Sequence, residues 1–275
     1  MGKRRGVRDP VNKLFGWVRR RSAKVKTFLG TVATVSALVA LWYFVRDHNH
    51  FFVASEAVHA AGIVVLIYKL TKKKTCSGLS LKSQEITALF VAVRLYCSLM
   101  MENDIHTFLD GATLMSTLWV IYMIRFKLKS TYIKELDNMQ LYRIVVAAAI
   151  LALFVHPVTP HYSLNRFFWA FSVYLESVSV LPQLRLMQNA KMVEPFTGHY
   201  VFALGISRFL SCAHWILRIV ETRGRYFYIW GGGYLWVPAI LISETVQTFI
   251  LADFCYYYVK SIVDGQLLVR LPCPV

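Results

Sequence analysis

Long apolar runs separated by short polar and basic segments make up most of this sequence. The first run, residues 27–45, has 19 residues, just enough to cross a bilayer core of about 30 Å at about 1.5 Å per residue. Seven further apolar runs follow at about 53–70, 84–101, 107–125, 142–157, 167–187, 199–220 and 236–260. The pattern predicts eight membrane-spanning helices and therefore an all-α polytopic membrane protein.

Composition agrees with this fold class, because 56% of the 275 residues are hydrophobic. The net charge of +16 does not indicate a nucleic-acid partner, since the basic residues lie between the apolar runs and form no surface interleaved with aromatic residues. Five cysteines without CxxC or metal-ligand spacing predict no disulfide framework and no metal. We find no nucleophile–base pair and no phosphate-binding loop, so the sequence predicts neither an enzyme nor a cofactor.

The distribution of Lys and Arg predicts the orientation of the spans. With the amino end in the cytosol, the cytosolic segments hold 24 of these residues and the opposite side holds five, which favours eight spans with both ends cytosolic. The 27–45 run is too long for a typical cleaved signal peptide, and a signal anchor is the preferred interpretation. The predicted organisation is a basic cytosolic arm (1–26), an anchor helix in the lipid bilayer (27–46), a seven-span domain (51–260) and a cytosolic tail (261–275).

The seven spans after the anchor divide into three, one and three. The two triplets then have parallel orientation, with the 142–157 span between them as inverter. This is the 3+1+3 arrangement of the parallel repeats in SWEET/PQ-loop sugar transporters.

Ionisable residues inside the apolar runs are the candidate functional residues, because charge in a membrane span is costly. Glu176 lies within WAFSVYLESVSVLPQL (169–184), and Arg94 and Arg208 lie in two other runs. Trp215 and Arg218 follow Arg208 at helical spacing and share its face. Three arginines and one acid predict a pocket for an anionic ligand.

A structural interpretation stands beside the functional one. Arg208 and Glu176 would then only neutralise each other between two spans, and Asp253 would pair with Arg94 in the same way. Pro182 would end and kink a helix. Trp169 and Trp236 are interpreted as residues of an interfacial aromatic belt, and the same interpretation is open for Trp215.

Several motifs of this sequence resemble the KDEL receptor family. They are HAAGIVVLIYKLTKKKTCSGLSLKSQ (59–84), Arg94, YMIRFKLKSTY (122–132), residues 169–184, HYVFALGISRFL (199–210) and QTFILADFCYYYVK (247–260). They occur in order over about 200 residues with similar spacing. The anchor and the basic arm lie outside the resemblance and suggest the longer, plant-type, receptor-related branch.

The resemblance implies a function in the endoplasmic reticulum and Golgi membranes. A seven-helix core would bind the carboxy-terminal K/HDEL peptides of soluble endoplasmic reticulum proteins in the mildly acidic Golgi, with vesicle coat machinery as a second partner, and release them in the neutral endoplasmic reticulum. The alternative is a receptor-related membrane protein without K/HDEL retrieval, acting as a transporter of small anionic solutes or as a trafficking scaffold.

The resemblance also implies roles for individual residues. Arg94, Arg208 and Arg218 match the family's ligand-binding arginines, Trp215 its cavity tryptophan, Glu176 the acid of the pH-linked closure, His59 the proton-sensing histidine and Asp253 an acid needed for transport. His214 is a second candidate for sensing pH, since a histidine titrates at about pH 6.5. A packing role is the alternative for His59.

This sequence departs from the family pattern at several positions around these residues. The family's residues are replaced by Phe52, Leu95, Cys97, Ser207, Ser211 and His214, and its cytosolic lysine cluster is replaced by VDGQLLVR (263–270). Among these changes, Cys97 stands in place of an acid. The sequence therefore predicts weak binding of K/HDEL peptides and little return to the endoplasmic reticulum driven by ligand.

Overall fold

The computed structural model describes residues 49–101, 105–158, 161–190, 193–221 and 235–264. The chain divides into two units, 1–50 and 51–275. The predicted basic arm and anchor helix lie outside the described residues, as does the tail from residue 265. The boundaries predicted for these segments therefore remain predictions.

The described part of the chain is built from helices. Its α-helices are α1 (Asn49–Tyr68), α2 (Leu81–Met101), α3 (Ile105–Tyr122), α4 (Leu141–Phe154), α5 (Ser163–Val178), α6 (Leu181–Ala190), α7 (Pro195–Glu221) and α8 (Trp236–Val263). Short π-helical segments, Lys69–Lys73 and Met123–Lys127, extend α1 and α3. The predicted all-α class is confirmed.

Several of these helices are long and apolar enough to cross a bilayer. The candidates within the described residues are Val53–Lys73, Thr107–Lys127, Pro195–Glu221 and Trp236–Val263, and α4 is a shorter apolar helix. The protein is therefore a polytopic membrane protein, as the hydrophobic pattern predicts. The 3+1+3 repeat and the orientation of the spans stay predictions.

The apolar run 167–187 forms two helices, where the sequence predicted one span. Helix α5 ends at Val178 and α6 begins at Leu181. Pro182 lies in the first turn of α6, where a missing N–H leaves no helical hydrogen bond unmade. At the break, the carbonyl of Glu176 accepts hydrogen bonds from the backbone N–H and the hydroxyl of Ser179, at 3.1 and 2.8 Å. The break lies beside the proline, as the sequence predicted, but Pro182 opens the second helix and does not end the first.

The helices pack around two buried apolar clusters. Helix α2 packs on α3 and α5, α4 packs on α5, and α8 packs on α7 and α5. One cluster includes Leu70, Ile124 and Phe254, and the other includes Leu175 and Trp236.

Trp236 corrects one sequence-based interpretation. Its side chain is 1% exposed, and its ring lies edge-on to Tyr174, with 6.1 Å between the ring centroids. The tyrosine hydroxyl donates to the carbonyl of Val155 at 2.9 Å. The interpretation of Trp236 as an interfacial belt residue is wrong, because the ring is a core residue. Trp169 packs half-buried at the side of the same cluster.

Candidate functional site

Glu176 is the meeting point of two arginines from two different helices. It lies in the last turn of α5 and is buried. Its Oε1 is 2.6 Å from Nη1 of Arg208 on α7, and its Oε2 is 3.0 Å from Nη1 of Arg94 on α2. Charge-assisted contacts of this kind are among the stronger hydrogen bonds in proteins. The predicted pairing of Arg208 with Glu176 is confirmed.

Arg94 also binds a second carboxylate. Asp110 of α3 accepts hydrogen bonds at Oδ1 from Nη2 at 2.6 Å and from Nε at 2.9 Å. The guanidinium of Arg94 therefore lies between two acids, with the ring of Phe90 at 5.6 Å. The predicted pairing of Arg94 with Asp253 is wrong, because Asp253 is exposed on α8 and Arg94 pairs with Asp110 instead.

A third acid, Glu244 of α8, completes what we call the arginine cluster: Arg94, Asp110, Glu176, Arg208 and Glu244. Glu244 interacts electrostatically with both arginines and with Glu176, and it is hydrogen-bonded to Ser211 of α7. Its Oε2 is buried and makes no hydrogen bond with any described residue. The cluster has two cations and three carboxylates, where the sequence predicted three arginines and one acid.

Two residues of α1 flank the arginine cluster. The charges of Arg94, Arg208 and Glu176 act on both Glu56 and His59. One turn before His59, the hydroxyl of Ser55 donates to the carbonyl of Ser207 at 2.8 Å and joins α1 to α7. Helix α1 therefore adds an acid and a histidine to the surroundings of the two arginines.

The backbone carbonyl of Glu176 also has a partner on another helix. Gln247 of α8 donates to it from Nε2 at 3.1 Å, across from the break between α5 and α6. Because Gln247 and Glu244 lie three residues apart on α8, they share one face of that helix. The end of α5 is thus held to α8 by its backbone and to α2 and α7 by its carboxylate.

A second buried charge lies where α1 ends, and we call its surroundings the lysine site: Lys69, Ser77, Glu194 and Thr197. Nζ of Lys69, which is 0% exposed, donates to the carbonyl of Ser77 at 2.5 Å and to the hydroxyl of Thr197 at 2.6 Å. It lies 2.7 Å from Oε2 of Glu194. These contacts join the end of α1 to the following loop and to the start of α7.

The loop that supplies Ser77 is held by polar side chains of its neighbours. Gly78 has φ +76°, a backbone conformation that glycine adopts without strain. Gln183 of α6 accepts from the backbone N–H of Ser80 at 2.9 Å and donates to the carbonyl of Gly78 at 2.7 Å. The motifs around SLKSQ (80–84) and LPQL (181–184) therefore meet in space.

Asp137 is the acceptor at the far side of this loop. It receives hydrogen bonds from the hydroxyls of Ser80 at 2.9 Å and Tyr132 at 2.7 Å, and from the backbone N–H of Lys82 at 3.2 Å. Burial raises the pKa of Tyr132, and its hydrogen bond to Asp137 raises this pKa further. The phenol therefore stays protonated and donates to the carboxylate.

Comparison with known proteins identifies the family. A family model described as "ER lumen protein retaining receptor" matches residues 75–218. The ER lumen protein-retaining receptor erd-2.2 of Caenorhabditis elegans is 36% identical over 227 residues, which cover 82% of this chain and 99% of the relative. The ER lumen protein-retaining receptor of Dictyostelium discoideum is 33% identical over 80% of this chain and 98% of the relative. ER lumen protein-retaining receptor 3 of Mus musculus is 32% identical over 82% of this chain and 100% of the relative. The chain belongs to the ER lumen protein-retaining receptor family. This family consists of receptors, which confirms that the protein is not an enzyme.

Within this member of the receptor family, the predicted site residues are only partly brought together. Arg94, Glu176 and Arg208 meet directly, and His59 lies within their electrostatic reach. His214 is buried with Trp215 beside it, the two ring centroids 6.3 Å apart. Asp253 is exposed on α8, away from these contacts. The side chain of Arg218 lies outside the described residues, so its role stays a prediction.

Three acids in or beside the arginine cluster were not predicted from the sequence. Asp110 and Glu244 lie inside the apolar runs 107–125 and 236–260, and Glu56 lies inside 53–70. The criterion that singled out Glu176, an acid surrounded by apolar residues, applies to all three. Asp110 is the most consequential, because it gives Arg94 a second carboxylate beside Glu176.

Proposed function

We propose that this protein binds the carboxy-terminal K/HDEL peptides of soluble endoplasmic reticulum proteins in the acidic Golgi and returns them to the endoplasmic reticulum. The observation that supports this function is the meeting of Arg94 and Arg208 at one carboxylate, in a chain of the receptor family. The protein would reside in both membranes with both ends in the cytosol, as its Lys and Arg distribution indicates.

The proposed mechanism is an exchange of carboxylates. A K/HDEL peptide ends in a terminal carboxylate and also has acidic side chains, and a guanidinium group can hold a carboxylate through two parallel hydrogen bonds. Glu176 contacts Nη1 of both arginines, and the ligand carboxylates would take over these contacts. Arg218 and Trp215 would complete the contacts on α7.

A lower pH would strengthen this binding by protonating a histidine. His59 lies close enough to feel the charges of Arg94, Arg208 and Glu176, and His214 is buried on the helix that holds Arg208. A proton on either imidazole adds a positive charge that attracts the ligand carboxylates. We expect tighter binding near about pH 6 than near about pH 7.4.

Transport of the loaded receptor would depend on Asp253 and on vesicle coat machinery. Asp253 is an exposed acid in an apolar helix, a position from which it would contact another membrane component. Ligand-driven return would be weak, because VDGQLLVR (263–270) replaces the family's lysine cluster.

A transporter of small anionic solutes is the second candidate, and the break between α5 and α6 favours it. Transporters commonly place their substrate site where a helix is discontinuous. Glu176 lies two residues before the end of α5, directly at such a break.

Calorimetry of the purified full chain with an HDEL-ended peptide and its carboxy-amidated form tests the proposed function. Arg208→Ala should weaken binding by about 2–5 kcal/mol, because it leaves a desolvated carboxylate unpaired. Arg208→Lys keeps the charge but not the two-point contact, and Arg185→Ala removes an exposed arginine that hydrogen-bonds Asn138. The Arg185 variant should bind normally. Binding that is indifferent to amidation and to Arg208 would reject the receptor mechanism.

A further inference from the structure

Glu244 is a buried acid with one oxygen unused. It lies on α8, its carboxyl is hydrogen-bonded to Ser211 of α7, and its Oε2 makes no hydrogen bond within the described part of the chain. A buried carboxylate oxygen without a donor costs about 1–3 kcal/mol, and more when the group is charged. The position therefore favours a species that can bind to Oε2.

Among the described residues, no Lys or Arg makes an ion pair with Glu244. Helix α7 contributes Arg208, Ser211 and the thiol of Cys212, α5 contributes Glu176, and α2 contributes Arg94. Arg208 contacts Glu176, and Arg94 contacts Glu176 and Asp110. Each of the two arginines is therefore paired with a carboxylate other than that of Glu244.

We propose that Glu244 is a proton-binding site, at which Oε2 takes up one proton from the solvent when an anionic ligand binds Arg208. This inference rests on the proposed function for the identity of that ligand. On release of the ligand the proton returns to the solvent, and Glu244 is again a carboxylate. The O–H bond that forms and breaks is the only covalent change.

Charge balance around Arg208 is the physical reason. An incoming carboxylate adds a negative charge to a guanidinium that already faces Glu176 and Glu244. In an apolar span the charges are weakly screened, so repulsion between the ligand and Glu244 opposes binding. A proton on Glu244 removes that repulsion while the ligand carboxylate takes the place of Glu176 at Arg208.

Uptake of one proton gives binding a defined dependence on pH. Through linkage, ligand affinity rises about tenfold for each unit by which the pH falls, over the range in which Glu244 is ionised without ligand and protonated with it. This contribution is separate from that of His59, which lies on α1. The two residues can therefore be substituted independently.

Infrared spectroscopy of the purified full chain tests the proton site without ligand. The carbonyl stretch of a protonated carboxylic acid should appear as the pH is lowered from about 8 to about 6, a range in which exposed carboxylates stay ionised, and Glu244→Gln should remove that band. Glu135→Gln, at an exposed loop position, is the matched control and should leave the band unchanged. A missing band in the unmodified protein, or a band that survives in Glu244→Gln, overturns the proposal.

Calorimetry with the HDEL-ended peptide in two buffers of different ionisation enthalpy then tests the coupling. The unmodified protein should take up more protons on binding than Glu244→Gln, by about one. His59→Asn should keep this share of the uptake. Equal uptake by the unmodified protein and Glu244→Gln overturns the coupling. If the peptide does not bind at any pH, the proposed function fails, and the infrared titration alone decides whether Glu244 is a proton site.

Discussion

The arginine cluster and the lysine site both bury positive charge, but they differ in how their partners are matched. Nζ of Lys69 has three N–H groups and three acceptors, each from a different residue, including one carboxylate. The arginine cluster has two cations and three carboxylates, and one carboxylate oxygen makes no hydrogen bond within the described residues.

This difference separates a structural charge from an exchangeable one. At the lysine site, movement between α1 and α7 would break the contacts of Lys69 with Thr197 and Glu194, so the site holds the two helices in one relative position. In the arginine cluster, an incoming anion can replace Glu176 at the guanidinium groups, so this contact is exchangeable. We therefore expect substitutions at the lysine site to reduce stability, and substitutions in the arginine cluster to change ligand affinity.

The largest expected effect comes from Glu194→Gln. It leaves the ammonium group of Lys69, which is fully buried, with neutral acceptors only. Removing one partner of a buried ion pair typically costs about 3–5 kcal/mol, and the partial exposure of Glu194 places the expected loss at the lower end, about 3 kcal/mol. Thermal unfolding of the detergent-solubilised protein measures this loss.

A second substitution at the lysine site controls this experiment. In a Glu194→Gln background, Lys69→Met removes the unpaired charge and should recover part of the stability. Lys72→Met, at an exposed position three residues away, should change the free energy of unfolding by less than about 0.5 kcal/mol. An equal loss from the exposed and the buried position would contradict the distinction between the two sites.

The arginine cluster shows which helices and which charge pairs can be predicted from the sequence. Hydrophobic runs predict the helices because burial in lipid demands continuous apolar segments, and Glu176 and Arg208 stand out as charges within them. Their pairing was predictable, since two isolated opposite charges in a membrane have few alternatives. The partner of Arg94 was not predictable from the sequence. Asp110 and Asp253 are both acids in apolar runs, and only the packing of the helices brings Asp110 close to Arg94.

The lysine site shows a second limit, in contrast to the break between α5 and α6. Lys69 lies at the junction of an apolar run and the basic KLTKKKT segment, where the sequence indicates only a topology signal. Its burial depends on Thr197 and Glu194, more than 120 residues further along the chain. Pro182 did mark the break correctly, because the effect of proline on a helix is local.

Gln183→Leu tests whether the loop beside the lysine site is held as firmly as its hydrogen bonds indicate. The substitution leaves the N–H of Ser80 and the carbonyl of Gly78 without their side-chain partner, which should cost about 2 kcal/mol. Gln188→Leu, half-buried on the same helix, is the matched control, with an expected change below about 0.5 kcal/mol. Thermal unfolding of both variants gives the comparison, and similar losses would show that Gln183 does not fix the loop.

Asp110→Asn tests the exchangeable character of the arginine cluster with the smallest expected effect. The asparagine keeps the size of the side chain but weakens its hold on Arg94, which retains Glu176. A ligand carboxylate then competes with one acid fewer, so the affinity for an HDEL-ended peptide should rise about tenfold, or about 1.4 kcal/mol. Asp264→Asn, exposed at the end of α8, should leave the affinity unchanged. Calorimetry at constant pH measures both variants. A loss of affinity in Asp110→Asn would mean that Asp110 holds Arg94 in place for the ligand, in which case this part of the cluster resembles the lysine site.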